Sequence, residues 1–215
     1  MESTVTRAGA VSLENATRAR IRFEHGAGQL VVRSGADPNL LLGGEFGEHA
    51  EMVVRREGEQ VEVVLRAVGG DWRELVDPTS WSGPHRPFDW DVQLNPAVSL
   101  TLDFAIGASK NVLDLSRLRV TQVVLNTGMS DTELTVPAAA GLTTVEVHAG
   151  LADVRIRVPS GVAARIRGKV GLGSLDVDPT RFHPTADGFE SPDFAAAQNR
   201  VLVHVDGGLE SVKIR

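Results

Sequence analysis

Six glycines recur along this chain between the same pair of aliphatic flanks, and no other feature restricts the fold as much. Five residues before Gly26, Gly107, Gly128, Gly150, Gly171 and Gly208 stand Ile21, Leu102, Val123, Val145, Ile166 and Val203. Six residues after them stand Val32, Leu113, Leu134, Ile156, Val177 and Ile214. Three before each glycine are Phe23, Phe104, Leu125, Val147, Gly168 and Val205, so apolar residues alternate on the way into the turn, with Gly168 as the gap. A period of two running into a glycine and resuming after it describes a strand–turn–strand unit, repeated.

The middle glycines lie 21, 22 and 21 residues apart. That is a fitting length for one coil of a β-solenoid, whose strands bury their inner side chains only when the next coil stacks on them. The expected fold is therefore all-β, a β-helix-like solenoid of about six coils. The two longer intervals, Gly26 to Gly107 and Gly171 to Gly208, are expected to hold insertions thrown outside the stack.

Composition narrows the functional classes. A net charge of −6 with no clustered Lys/Arg stripe leaves no electrostatic footprint for nucleic acid. With no cysteine, disulfides, thiolate metal sites and cysteine nucleophiles are excluded. The opening MESTVTRAGAVSLENA lacks an apolar run of signal-peptide length, and no stretch is long and apolar enough to span a membrane. The chain is expected to be soluble, without direct membrane insertion, and cytoplasmic, reaching the inner face of the membrane through a partner or through a membrane segment missing from this sequence.

Residues 1–16 are expected to be a polar tail or an approach strand, and 17–215 a single domain. Between Glu51 and Ala67, two β-rich runs flank Gly58 as a hairpin insertion. Residues 69–87 have three prolines, two tryptophans and no apolar period; loops of this length usually serve a function or lack order. Trp72, Trp81 and Arg86 are the candidate partner-binding residues, being of the types that anchor interfaces. The plainer reading has the tryptophans covering apolar surface, and Trp90 is structural because it begins a strand. In the second insertion, 182–200, Ser191 and Pro192 suit the start of a short helix, and Phe182, Phe189 and Phe194 can cap the open end of the stack.

Asp176 and Asp178 project to one side of a strand and pose the question of acid–base catalysis. Their register offers another answer. Equivalent positions in other coils carry Glu133, Arg155 and Lys213, or Asp114, Thr135, Arg157 and Arg215, so stacked coils would alternate acid and base down the outer face. The histidines His25, His49, His85, His148, His183 and His204 show no metal-ligand spacing, and His148 and His204 fall on outward positions. GAGQL at Gly26 and GLGSL at Gly171 lack the context of a phosphate-binding loop and are read as turns. No nucleophile elbow or Ser/His/Asp arrangement stands out. No catalytic, cofactor-binding or metal-binding residue and no cofactor is expected.

The segments ARIRFEHGAGQLVV, WDVQLNPAVSLTLDFAIGASKNVLDLSRLRVTQVVLNTGMSDTELTVP, VEVHAGLADVRIRVPSGVAARI and FESPDFAAAQNRVLVHVDGGLESVKIR together resemble the C-terminal, or toastrack, domain of LiaF-like cell-envelope stress proteins. The resemblance spans about residues 17–215. It implies a right-handed, helix-like β stack and a noncatalytic sensing or interaction role, in that family including restraint of a membrane sensor kinase. This chain lacks the membrane segment such proteins carry. The expected partner is a protein, a membrane protein or sensor kinase among the candidates, and a homo-oligomer stays open. The alternatives are a carbohydrate-active β-helix enzyme, which would need acids clustered without basic partners, and a self-assembling scaffold stacked end to end.

Overall fold

A computed structural model describes residues 2–7, 9–47, 49–68, 88–208 and 211–215. In chain order the strands are β1 (Glu2–Arg7), β2 (Val11–Ser12), β3 (Arg18–Ser34), β4 (Leu40–Glu45), β5 (Ala50–Glu57), β6 (Gln60–Ala67), β7 (Trp90–Leu94) and β8 (Ser99–Asp114). They continue as β9 (Arg119–Thr135), β10 (Leu142–Arg157), β11 (Ala163–Val170), β12 (Ser174–Val177), β13 (His183–Thr185), β14 (Gly188–Glu190), β15 (Arg200–Gly207) and β16 (Ser211–Ile214). The protein is all-β, with these strands in one mixed, largely parallel sheet and no helix among the described residues.

Four of the repeats form single long strands rather than two strands joined by a turn. Gly26, Gly107, Gly128 and Gly150 lie inside β3, β8, β9 and β10, each 16 or 17 residues long. In β8 the buried positions are Leu100, Leu102, Phe104 and Ile106 before Gly107 and Asn111 and Leu113 after it. The buried parity thus changes from even to odd across the glycine, and both arms aim their inner side chains at the same core.

Stacked corners bring backbone against backbone. A Cβ placed on Gly107 would lie 2.2 Å from the Gly26 carbonyl oxygen, and one on Gly171 would lie 3.1 Å from that of Gly208. Close approach, and not positive φ, is what requires glycine at Gly107.

The aliphatic flanks align into two ladders running across the sheet. One reads Val63, Ile21, Leu102, Val123, Val145, Val203, Ile166. The other reads Val92, Val32, Leu113, Leu134, Ile156, Ile214, Val177. All fourteen are buried, and each contributes about 1.5–3 kcal/mol of apolar burial. Phe23 and Phe104 stack at 4.8 Å, the spacing of neighbouring strands. The gap at Gly168 has a physical reason: a Cβ there would sit 2.9 Å from Cδ2 of Leu175, which fills the space.

Spatial order departs from sequence order. β15 and β16 lie between β10 and the β11/β12 pair, so Val145 neighbours Val203 and Ile166 comes next. The outer charge ladder therefore reads Glu133, Arg155, Lys213, Asp176, with two cations side by side in place of strict alternation. Arg155 turns back to β9, reaching Asp131 at 2.7 Å and Glu133 at 3.4 Å.

The insertions are not thrown clear of the sheet. The β5–β6 hairpin forms around Gly58 as expected, yet β6 pairs parallel with the first arm of β3 while β7 pairs with its second arm. Together β6 and β7 flank β3 along both of its arms. Of the segment expected as a tail or an approach strand, residues 2–7 form a strand: β1 pairs antiparallel with β5, and Val11 and Ala16 are buried. The short helix expected after Ser191 is absent. Ser191 is occupied with β11, accepting from Ala164 N at 2.8 Å and donating its own N–H to Ala164 O, and only one turn forms, with Ala196 and Ala197 both donating to Asp193 O. In this segment Phe182 and Phe194 are buried and Phe189 is half-buried against the core.

Candidate functional site

The residue after each corner glycine reads Ala27, Ala108, Met129, Leu151, Leu172 and Leu209 in the sequence. Among the described residues, Ala108, Met129, Leu151 and Leu172 of this set are exposed and Ala27 is half-buried. Met129, Leu151 and Leu172 are 65 %, 55 % and 86 % exposed, three of the four exposed large apolar side chains among the described residues. Met129 and Leu151 are direct register partners, and Leu172 is held in line by its N–H donating to Gly208 O. They form a ridge over a shallow groove of about 680 Å³ floored by Ser109, Ser130, Ala152 and Ser174. A grouped apolar ridge carries more information than single exposed hydrophobics, which are ordinary.

The bend beneath Met129 is built from polar groups. Thr127 Oγ1 and Ser130 Oγ lie 2.5 Å apart, Ser130 Oγ and Thr132 Oγ1 3.1 Å apart, and Asn111 Nδ2 donates to Thr132 Oγ1 at 2.9 Å. Ser109 donates to Asn111 Oδ1 at 2.9 Å, so the chain of groups is satisfied and fixes the β8–β9 corner. Beside the ridge, Asp131 and Asp153 face each other across β9 and β10. Arg155 neutralises Asp131, whereas Asp153 has no ion pair among the described residues.

The other end of the corner is covered. His25 is buried, its Nε2–H donates to Phe88 O at 2.8 Å, and its ring meets Trp90 edge-on at 4.9 Å. Gly28, at φ 98°, lets Phe88 close in: a Cβ there would lie 2.7 Å from Phe88 O. Burial pushes the His25 pKa below its usual value, opposed in part by the Phe88 carbonyl and by Asp89, so the ring is neutral, and its buried Nδ1 has no partner among the described residues. Trp90 begins β7 and is buried, as its sequence position suggests.

The candidate residues Trp72, Trp81 and Arg86 lie outside the described residues. Asp176 and Asp178 are not poised to give up a proton. The Arg215 guanidinium bonded to Asp176, and the Thr180 hydroxyl and N–H bonded to Asp178 at 2.7 and 2.9 Å, hold both carboxyls below the usual range and therefore ionised. His148, His183 and His204 are exposed. No group of three or more His, Asp or Glu that could hold a metal ion occurs among the described residues. Sequence reasoning missed the ridge, though its signal was present as the enlargement from Ala27 and Ala108 to Met129 and Leu151 at one repeat position.

Residues 1–157 match the family described as the N-terminal domain of toast_rack, DUF2154. Among solved structures, the chain is similar to the crystal structure of a protein from Clostridium sporogenes described as "a putative cell adhesion protein", at 14 % identity and a TM-score of 0.77, over 99 % of this chain and 98 % of that one. No curated protein matches the chain.

Proposed function

Starting from a chain that belongs to the toast_rack N-terminal domain family, we propose that it is a noncatalytic interaction module whose corner ridge of Met129, Leu151 and Leu172 receives a protein partner. The ridge is the observation that carries this reading: three large apolar side chains exposed together, on a bend made rigid by backbone pairing and buried hydrogen bonds. An interface of this kind gains affinity by desolvating apolar anchors inside a polar surround. The adjacent Asp153, without an ion pair among the described residues, selects among apolar segments, favouring one that carries a basic residue beside its apolar face.

The in-register ladders support reading the sheet as a right-handed solenoid-like stack, with β15 and β16 inserted between β10 and the β11/β12 pair. The sequence resemblance to LiaF-like proteins is what suggests a regulatory partner and makes a membrane sensor kinase the partner class proposed here, met at the cytoplasmic face of the membrane. Ionised, hydrogen-bonded Asp176 and Asp178 support a role without turnover.

The test places a photo-crosslinking residue at position 151 in cells and identifies the captured segment. A synthetic peptide of that segment is then titrated against the wild type and a Met129→Ser, Leu151→Ser, Leu172→Ser variant. Apolar anchors with a basic neighbour, and binding weakened about tenfold or more in the variant, are expected. Equal binding by both proteins removes the ridge as the docking site.

A further inference from the structure

The outer face of the sheet has a second feature, far from the ridge. At the ends of β3 and β8 away from the corner, a cleft of about 370 Å³ is lined by Arg18, Arg20, Arg55, Ser99, Thr101 and Thr121, among others. Register explains how it arises. Arg18 stands between Ser99 of β8 and Gln60 of β6, and Arg20 between Thr101 and Glu62. Glu62 is also opposite Arg55, 3.7 Å away, so one carboxylate sits between two guanidinium groups. Over the whole lining, four arginines face two glutamates.

The next arginine along the same strand face shows what neutralisation looks like here. Arg22 is bonded to Glu24 and to Asp103, each at 2.8 Å. The guanidinium groups of Arg18 and Arg20 are exposed and make no ion pair or side-chain hydrogen bond among the described residues. A third arginine of the lining, Arg56, donates from Nη2 to Ser12 O at 2.6 Å and pairs with Glu14 at 3.4 Å, while its buried Nη1 has no acceptor among the described residues. Arg55 and Arg56 thus have carboxylate partners, and Arg18 and Arg20 are the two guanidinium groups of this concave site with none among the described residues, in a protein whose overall charge is −6.

We propose that this cleft is a binding site for a phosphate-type oxyanion. Arg18 and Arg20, two apart on one strand face, are roughly 7 Å from each other along the strand, so their forked N–H groups can converge on the oxygens of one phosphate or bridge two linked ones. The Ser99 and Thr101 hydroxyls donate from the neighbouring strand. Guanidinium matches phosphate bidentately, which a lone ammonium does not. Because the site is open to solvent, binding weakens with added salt.

The site is tested by titrating the whole chain at low ionic strength with sodium pyrophosphate and, separately, with vesicles of phosphatidylglycerol in phosphatidylcholine, while following the arginine Nε–H resonances. Saturable shifts at Arg18 and Arg20 are expected with at least one probe. The R18Q/R20Q double variant is expected to bind about tenfold or more weakly, and Arg33→Gln, on the other arm of β3, to bind as the wild type does. Circular dichroism confirms that both variants fold. Vesicle binding with the same variant sensitivity assigns the phosphate to a lipid headgroup, and binding of pyrophosphate alone assigns it to a soluble ligand. No saturable binding of either probe, or undiminished binding by R18Q/R20Q, overturns the proposal. The outcome is independent of the ridge.

Discussion

Where β3 meets β8, the residues after the corner glycines are Ala27 and Ala108, and His25, Phe88 and Trp90 pack over the bend; where β9 meets β10, the same position carries Met129 and Leu151, facing water. Both ends share the same inner ladders and the same backbone pairing. The difference teaches that the repeat separates two tasks. Its inner positions hold the sheet together, and the single position after the glycine is free to be small under a cover or large without one.

The broadest way to break this comparison is to cut the shared ladder on either side of the divide. Leu113→Ala and Leu134→Ala are each expected to cost about 2–5 kcal/mol in denaturant unfolding, with similar values for the two. A large inequality would show that the two ends differ in their cores and not only at their corners. Next in size is the corner itself. Gly107→Ala is expected to cost about 1–3 kcal/mol, because the added Cβ falls 2.2 Å from the Gly26 carbonyl and backbone must shift. Gly128→Ala, whose Cβ would be 3.5 Å from Gly107 O, is expected to cost clearly less, and comparable melting temperatures for the two variants would erase the distinction.

Mild acid should act on the covered end through His25. The folded-state pKa of His25 lies below its unfolded value of about 6.5, so between the two values the unfolded chain binds a proton that the folded chain refuses. Stability contributed by neutral His25 is complete above about pH 6.5 and is lost as pH falls toward the depressed value. The melting temperature of wild type should therefore fall more between neutral and mildly acidic pH than that of His25→Gln; parallel curves would remove the histidine from the account. The smallest effect is expected from Glu133→Ala beside the exposed end, under about 1 kcal/mol, since its pairing with Arg155 is exposed and Arg155 keeps Asp131.

Much of this architecture was legible in the glycine-centred pattern, because a buried ladder demands an aliphatic residue at a fixed offset in every strand. Val123 and Val145 duly meet across β9 and β10. Neighbour identity was not legible. Val203 and Ile166 are equally suited to lie beside Val145, and interchangeable aliphatics leave the order of the strands to the connections between them. The helix expected at Ser191 failed because a local capping signal competed with tertiary pairing: the same hydroxyl and N–H serve Ala164 in β11. His25 was hidden for a related reason, since its burial is produced by Phe88 and Trp90, more than sixty residues away in the chain. The candidate site was legible only as a trend in side-chain size after the glycines, with nothing in one sequence to show which bends are left uncovered.

The position of β15 and β16 between β10 and the β11/β12 pair has a consequence in time. During synthesis the chain emerges from its N-terminal end, and β11 and β12 exist well before the strands that join them to β10. The N-terminal portion can assemble as it appears, but this last part of the sheet has a missing plank until residues 200–214 have been made. The β15–β16 segment therefore enters between strands already made, not at an outer edge of the sheet.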